Sequence, residues 1–230
     1  LMPEGMKEKI TLFLSDLVYS VSTSLKGAQQ LWLEDEAFMR LYNNAKSRIL
    51  LDKGRAYNLY KLAIMQSSQP GDFAELGCYK CGSILFLSAG DSLVGKNINL
   101  MDTFQGMPKT SEFDPFWKPG DMSNISFEEI QGYCRKNLVR SKYSFHRGYF
   151  PQEINLSELS DLYAFVHIDT DLYESTLEGL RFFYERLSSK GIVLVDDFGN
   201  LSCPGVTKAV KDFCESKKIE HIPNSISKCN

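Results

Sequence analysis

Residues 162–175 read Leu-Tyr-Ala-Phe-Val-His-Ile-Asp-Thr-Asp-Leu-Tyr-Glu-Ser. The apolar run 162–166 has no polar alternation, which is the pattern of a strand buried on both faces of a parallel sheet. Asp169 and Asp171 follow where that strand should end. A second apolar run, 192–195, ends in Asp196 and Asp197. In an open α/β sheet, ligands gather outside the carboxyl ends of the strands. Two acid pairs at two such ends point to one acidic, metal-binding site.

The rest of the chain supplies such a sheet. Strands are expected over 73–77, 97–102, 143–147, 162–168 and 191–195, with a last one near 219–222. Helices are expected over 82–90, 126–138, 173–187 and 205–217. This alternation predicts a doubly wound, Rossmann-like parallel sheet. Ahead of it, apolar residues at helical spacing predict a helix over 6–30, from Ile10 to Leu25, and others over 34–47 and 53–66. Residues 1–50 therefore read as a helical extension, a packing layer that also serves as a lid or an oligomer contact, and 51–230 as the main domain. The stretch 105–124, with Pro108, Pro115, Pro119 and Gly120, is a long irregular loop of the kind that is usually functional. Phe116 and Trp117 in it would cover a ligand or pin the loop.

Bulk properties exclude several classes. The chain has 230 residues, 43% hydrophobic and 24% charged, in the range of a globular domain. A net charge of −3 argues against a general nucleic-acid binder. No apolar run approaches the ~18 residues of a membrane span, and the first residues lack a signal-peptide layout; a cytoplasmic protein is the expectation. Of six cysteines, only Cys78 and Cys81 form a close pair. Without a second pair a structural zinc site is not expected, and all six are read as free thiols.

The first strand-to-helix turn runs Glu75-Leu76-Gly77-Cys78-Tyr79-Lys80-Cys81-Gly82-Ser83. Its glycines let the backbone turn sharply and approach a ligand. Asp102, at the end of the second strand and 25 residues after Gly77, suits ribose hydroxyls. Glu75 would repel a pyrophosphate but accept hydrogen bonds from a cationic amino group, which favours S-adenosylmethionine over a dinucleotide. Carboxylates at the second site favour a hard cation, Mg²⁺ or Mn²⁺. Asp169 and Asp171 would share a face if extended geometry persisted; Asp196 and Asp197 need a turn to do so. The plainer alternatives are a helix N-cap for Asp171 and a solvated loop for Asp196-Asp197. His167 reads as a packed or hydrogen-bonded core histidine.

Taken together, GDFAELGCYKCGS (71–83), MDTFQGMPK (101–109), RGYF (147–150), HIDTDLYESTLEGL (167–180), GIVLVDDF (191–198) and CPGVTKAVKDF (203–213) resemble the macrocin O-methyltransferase family. These are metal-dependent sugar O-methyltransferases of macrolide and aminocoumarin biosynthesis. The glycine turn departs from the family's usual GVWRGG, keeping aromatic and basic character in Tyr79 and Lys80. The resemblance implies a class I methyltransferase fold that uses S-adenosylmethionine and Mg²⁺. It implies metal ligands at Asp169, Asp196 and Asp197 and a general base at Asp171. It places the cofactor against Glu75, Leu76, Gly77, Cys78, Tyr79, Gly82 and Ser83, then Asp102, Thr103, Phe104 and Gly106, and Gly148 and Tyr149. The expected acceptor is a hydroxyl of a sugar or glycosylated small molecule, and a homo-oligomer is the expected state. A catechol-type phenol acceptor, or a binding protein that kept the fold without catalysis, are the alternatives.

Overall fold

The structure is a computed structural model that describes residues 31–90, 95–138 and 141–218. Its centre is a five-stranded sheet in the order β3-β2-β1-β4-β5, with every neighbouring pair parallel. The strands are β1 (Asp72–Leu76), β2 (Asn97–Asp102), β3 (Lys142–Arg147), β4 (Tyr163–Ile168) and β5 (Leu187–Val195). All six residues of β4 are buried, as the near-continuous apolar sequence of a central parallel strand leads one to expect; its one polar residue, His167, is paired with Glu75. The chain runs outward from β1 to β3 and then returns to lay β4 on the other side of β1. The order thus reverses between β1 and β4, and a crevice opens at their carboxyl ends.

Among the described residues, six α-helices cover the sheet: α1 (Glu36–Ala45), α2 (Lys53–Gln66), α3 (Ile84–Leu87), α4 (Phe127–Asn137), α5 (Tyr173–Tyr184) and α6 (Pro204–Lys217). One core unites Phe73, Ile98, Leu100 and Phe165 of the sheet with α1 to α4. The other joins Ala74, Met101, Val166 and Ile168 to Phe183 of α5 and Val210 and Phe213 of α6. Successive β1 residues Phe73 and Ala74 fall in different cores, as the two-residue period of a strand dictates.

Residues 31–50 join the first core through Trp32, Phe38, Tyr42, Ala45 and Ile49. Phe38 is fully buried, with ring centroids 5.0 Å from Tyr57, 5.5 Å from Tyr60 and 5.7 Å from Phe86. Burying such a ring stabilises the fold by roughly 1.5–3 kcal/mol. Asp35 and Asp52 cap α1 and α2, accepting the N–H of Phe38 at 3.0 Å and of Arg55 at 2.9 Å. Among the described residues, no helix is long and apolar enough to cross a membrane. The expected helix over 6–30 and strand near 219–222 lie outside the described residues.

Strand β2 and helix α2 have the bounds expected from sequence. Others moved. Helix α3 is short because Cys81 is left-handed (φ 54°) just before it and Ser88 leaves helical geometry just after. Helix α5 stops early because the next residues belong to the sheet: Arg186 O accepts the N–H of Tyr163 at 2.8 Å, and Leu187 pairs with Tyr163. Strand β5 correspondingly begins at Leu187 rather than 191.

Candidate active site

The crevice is a cavity of about 580 Å³, within the usual range for a small-molecule site. One wall is the turn after β1. Gly77 has φ 89°, and a Cβ there would stand 2.0 Å from the carbonyl oxygen of Asp169. Only glycine allows this turn to lie against the end of β4. The turn is braced from β2. Asp102 Oδ2 accepts the N–H of Cys78 and of Tyr79, each at 2.8 Å, and Oδ1 accepts the N–H of Phe104 at 2.7 Å. Burial pushes the Asp102 carboxyl above its ordinary pKa, and these three N–H groups pull against that rise.

The two thiols under the turn are buried. Burial pushes Cys78 up to about 12, which leaves no thiolate for redox exchange near neutral pH. The five described cysteines are free; Cys229 lies outside the described residues.

The opposite wall is acidic. Asp169 follows β4 directly, its N–H donating to Leu76 O at 2.9 Å, and the N–H of Asp196 donates to Ile168 O at 2.8 Å. Extended geometry does not persist past β4: Asp171 has φ 60°. A left-handed Asp197, φ 58°, supplies the turn that brings it round beside Asp196. Non-glycine residues in this region are uncommon and concentrate at functional sites. One oxygen each of Asp169, Asp196 and Asp197 lie within 4.8 Å of one another, as do ligand atoms of Asp171, Asp197 and Cys203.

Burial and then the carboxylates of Asp196, Asp197 and Asp171 push Asp169 well above the usual carboxylate range, with Arg55 opposing them. Burial and Asp197 push Asp171 up likewise, and the Cys203 thiol opposes. That thiol donates to Asp171 Oδ1 at 3.3 Å. Asp171 is not the N-cap of α5: Leu172 holds that position, and the N–H of Tyr173 is capped at 2.8 Å by Asp114 from the 105–124 loop. Asp114 Oδ1 also fills the space where Gly205 would carry a Cβ. The loop is thereby pinned to the amino ends of α5 and α6, with Trp117 on the cavity wall and Phe116 exposed.

Of the residues singled out from sequence, Leu76, Gly77, Cys78, Tyr79, Ser83, Asp102, Thr103, Gly106, Gly148, Tyr149, Asp169, Asp171, Asp196 and Asp197 line the cavity. Glu75, Gly82 and Phe104 do not. The Glu75 side chain is fully buried, and its Oε1 meets Nδ1 of His167 at 2.9 Å. These two are register partners on neighbouring strands; His167 thus meets Oε1, while Oε2 has no hydrogen-bond partner among the described residues. His167 is the hydrogen-bonded core residue expected of it. Gly82 packs against the backbone of Arg48, and Phe104 packs in the core, tilted against Phe127 and edge-on to Phe145. Sequence reasoning missed Cys203 and Asp114 as parts of the site, and with them the contact Arg55 makes with the acids. Arg55 Nη1 lies 2.6 Å from Asp196 Oδ2 and 3.1 Å from Asp197 Oδ1. No local pattern signals contacts between residues so far apart in the chain.

Residues 51–229 match the family described as macrocin-O-methyltransferase (TylF). The chain is 26% identical over 161 residues to the demethyldecarbamoylnovobiocin O-methyltransferase of Streptomyces niveus, covering 65% of this chain and 60% of that protein. It is 26% identical over 163 residues, with the same coverages, to the 8-demethyl-8-(2,3-dimethoxy-alpha-L-rhamnosyl)-tetracenomycin-C 4'-O-methyltransferase of Streptomyces olivaceus. The chain thus spans about 60% of the length of these curated relatives. The solved structure of the O-methyltransferase NovP matches with a TM-score of 0.66 at 24% identity, over 76% of each chain. The fold is that of the class I, Rossmann-like methyltransferases.

Proposed function

Because this chain belongs to the macrocin-O-methyltransferase family, we propose that it transfers a methyl group from S-adenosylmethionine to a hydroxyl of a sugar or glycosylated small molecule, with Mg²⁺ in the acidic centre. The relatives' names carry the acceptor class. The observation that carries the chemistry is the convergence of Asp169, Asp196 and Asp197 on one cavity that also holds the Gly77 turn.

The residues fit both groups. Three partly shielded carboxylates, with Asp169 raised by burial and then by its acidic neighbours, form a hard-oxygen donor set that suits a divalent cation. The glycine turn offers close backbone approach at a point where any Cβ would collide. When bound, S-adenosylmethionine supplies an electrophilic methyl and Mg²⁺ supplies the charge that lowers the pKa of the attacking hydroxyl.

The protein's own tasks follow from their positions. Asp169, Asp196 and Asp197 would hold the ion. Asp171 takes the proton of the acceptor hydroxyl as its oxygen attacks, and the Cys203 S–H fixes the orientation of its carboxylate. Gly77, Cys78, Tyr79 and Ser83 would line the cofactor, with Asp102 suited to its ribose hydroxyls and Gly148 and Tyr149 near it. The pinned 105–124 loop, with Trp117 and Met107, excludes water and holds the acceptor in line, where orientation lowers the barrier further. Residues 31–50, packed on the first core, would also serve as an oligomer contact.

The test is transfer of a labelled methyl from S-adenosylmethionine to a panel of deoxysugar glycosides and catechols, with Mg²⁺ and with EDTA. Mg²⁺-dependent label on a glycoside supports the reading. Label on catechols alone would overturn the acceptor class, and no labelled product would overturn the activity.

A further inference from the structure

Arg55 is the one cation hydrogen-bonded to the acidic centre among the described residues, and its placement is built from two sides. On the near side Nη1 donates to Asp196 Oδ2 at 2.6 Å and Asp197 Oδ1 at 3.1 Å. On the far side Nη2 donates to Leu50 O at 3.1 Å, and Nε pairs with Asp52 Oδ2 at 3.4 Å. Asp52 is itself fixed as the N-cap of α2. The side chain is only 23% exposed. Burial alone would lower the pKa of its guanidinium, but the surrounding carboxylates more than offset that, so it stays charged.

Two roles are open to such a cation. A stand-in for the metal would sit among all three carboxylates and compete with the ion. A positioning group would be anchored elsewhere and leave the third carboxylate open. Arg55 matches the second. It touches two acids with a single nitrogen, and no hydrogen bond joins it to Asp169. The other oxygen of Asp196, and both of Asp169, accept no hydrogen bond from the described residues.

Resting on the metal-centre reading above, we propose that Arg55 is a positioning residue of that centre. It holds one oxygen each of Asp196 and Asp197, so that the remaining oxygens join Asp169 around a divalent ion. It thereby ties the helix ahead of the first strand to the far end of the sheet. Ligand-orienting partners of this kind are worth about 10–100-fold in metal affinity.

The experiment is Mn²⁺ titration followed by electron paramagnetic resonance on wild type, Asp169→Asn, Arg55→Met and Arg55→Lys, each first checked for a cooperative melt. Wild type should bind one ion and Asp169→Asn should lose it. Arg55→Met should bind at least ~10-fold more weakly, with a broadened bound-ion spectrum, and Arg55→Lys should fall between, keeping the charge without the fork. Affinity in Arg55→Met equal to or tighter than wild type would overturn the proposal in favour of a competing cation. If Arg55→Met does not melt cooperatively, Arg55→Lys decides by the same criterion. A wild type that binds no Mn²⁺ brings down the metal centre, and this inference with it, a result distinct from failure at Arg55 alone.

Discussion

Asp102 and Asp169 stand at the carboxyl ends of two strands on either side of β1, line the same cavity, and both have raised pKa values through burial. Their surroundings differ. Asp102 accepts three backbone N–H groups from two loops. Asp169 accepts none from the described residues and faces three further carboxylates. A carboxylate that accepts several backbone N–H groups braces the fold, and one left among like charges is stabilised by any cation placed beside it. The half of the crevice around Asp102 is thus braced within the fold, while in the half around Asp169 the proposed ion would offset the repulsion.

The largest expected effect lies in the acidic half. Asp171→Asn should lower the methyl-transfer rate by about 10²–10⁴-fold, the range of a lost general base, with the metal-free melting temperature near wild type. Turnover within tenfold of wild type would remove the base assignment. Asp102→Ala should break the other half: three N–H groups lose their acceptor, at roughly 1–3 kcal/mol for each that stays buried. A stability loss of about 3 kcal/mol in urea unfolding is expected, together with weaker S-adenosylhomocysteine binding.

The sharpest contrast between the halves is one of sign. Asp169→Asn removes a like charge, so its metal-free protein should melt at or above wild type, whereas Asp102→Ala melts below it. Saturating Mg²⁺ should raise wild-type stability, by about 2.7 kcal/mol at a hundred times the dissociation constant, and should leave Asp169→Asn unmoved. The smallest effect is expected at Cys203, whose thiol is a weak donor to Asp171. Cys203→Ala should slow turnover only several-fold, and a loss as deep as that of Asp171→Asn would mean the thiol does more than orient the base.

How much of this was legible in sequence follows the same division. The sheet was legible because parallel strands are buried on both faces and read as apolar runs, as 162–166 does. The acids were legible because they punctuate those runs. Element ends were harder where long-range pairing decides them: Leu187 belongs to β5 only because Tyr163 lies beside it. Partners were not legible at all. Asp114 caps a helix 59 residues away, and Arg55 meets Asp196 across 141 residues. The charge of Glu75 marks it as a group in need of partners, but only the register shows that His167 meets its Oε1. Charge and spacing reveal which groups need a partner, and topology chooses the partner.

The central claim is that Asp169, Asp196 and Asp197 form a divalent-metal centre beside the cofactor turn. Its most direct test is anomalous diffraction from crystals grown with Mn²⁺ and S-adenosylhomocysteine. A single manganese peak within bonding distance of all three carboxylates, with the cofactor product against Gly77 and Asp102, is the expected result. Product bound in the cavity with no manganese at these acids, or manganese bound elsewhere, would contradict it.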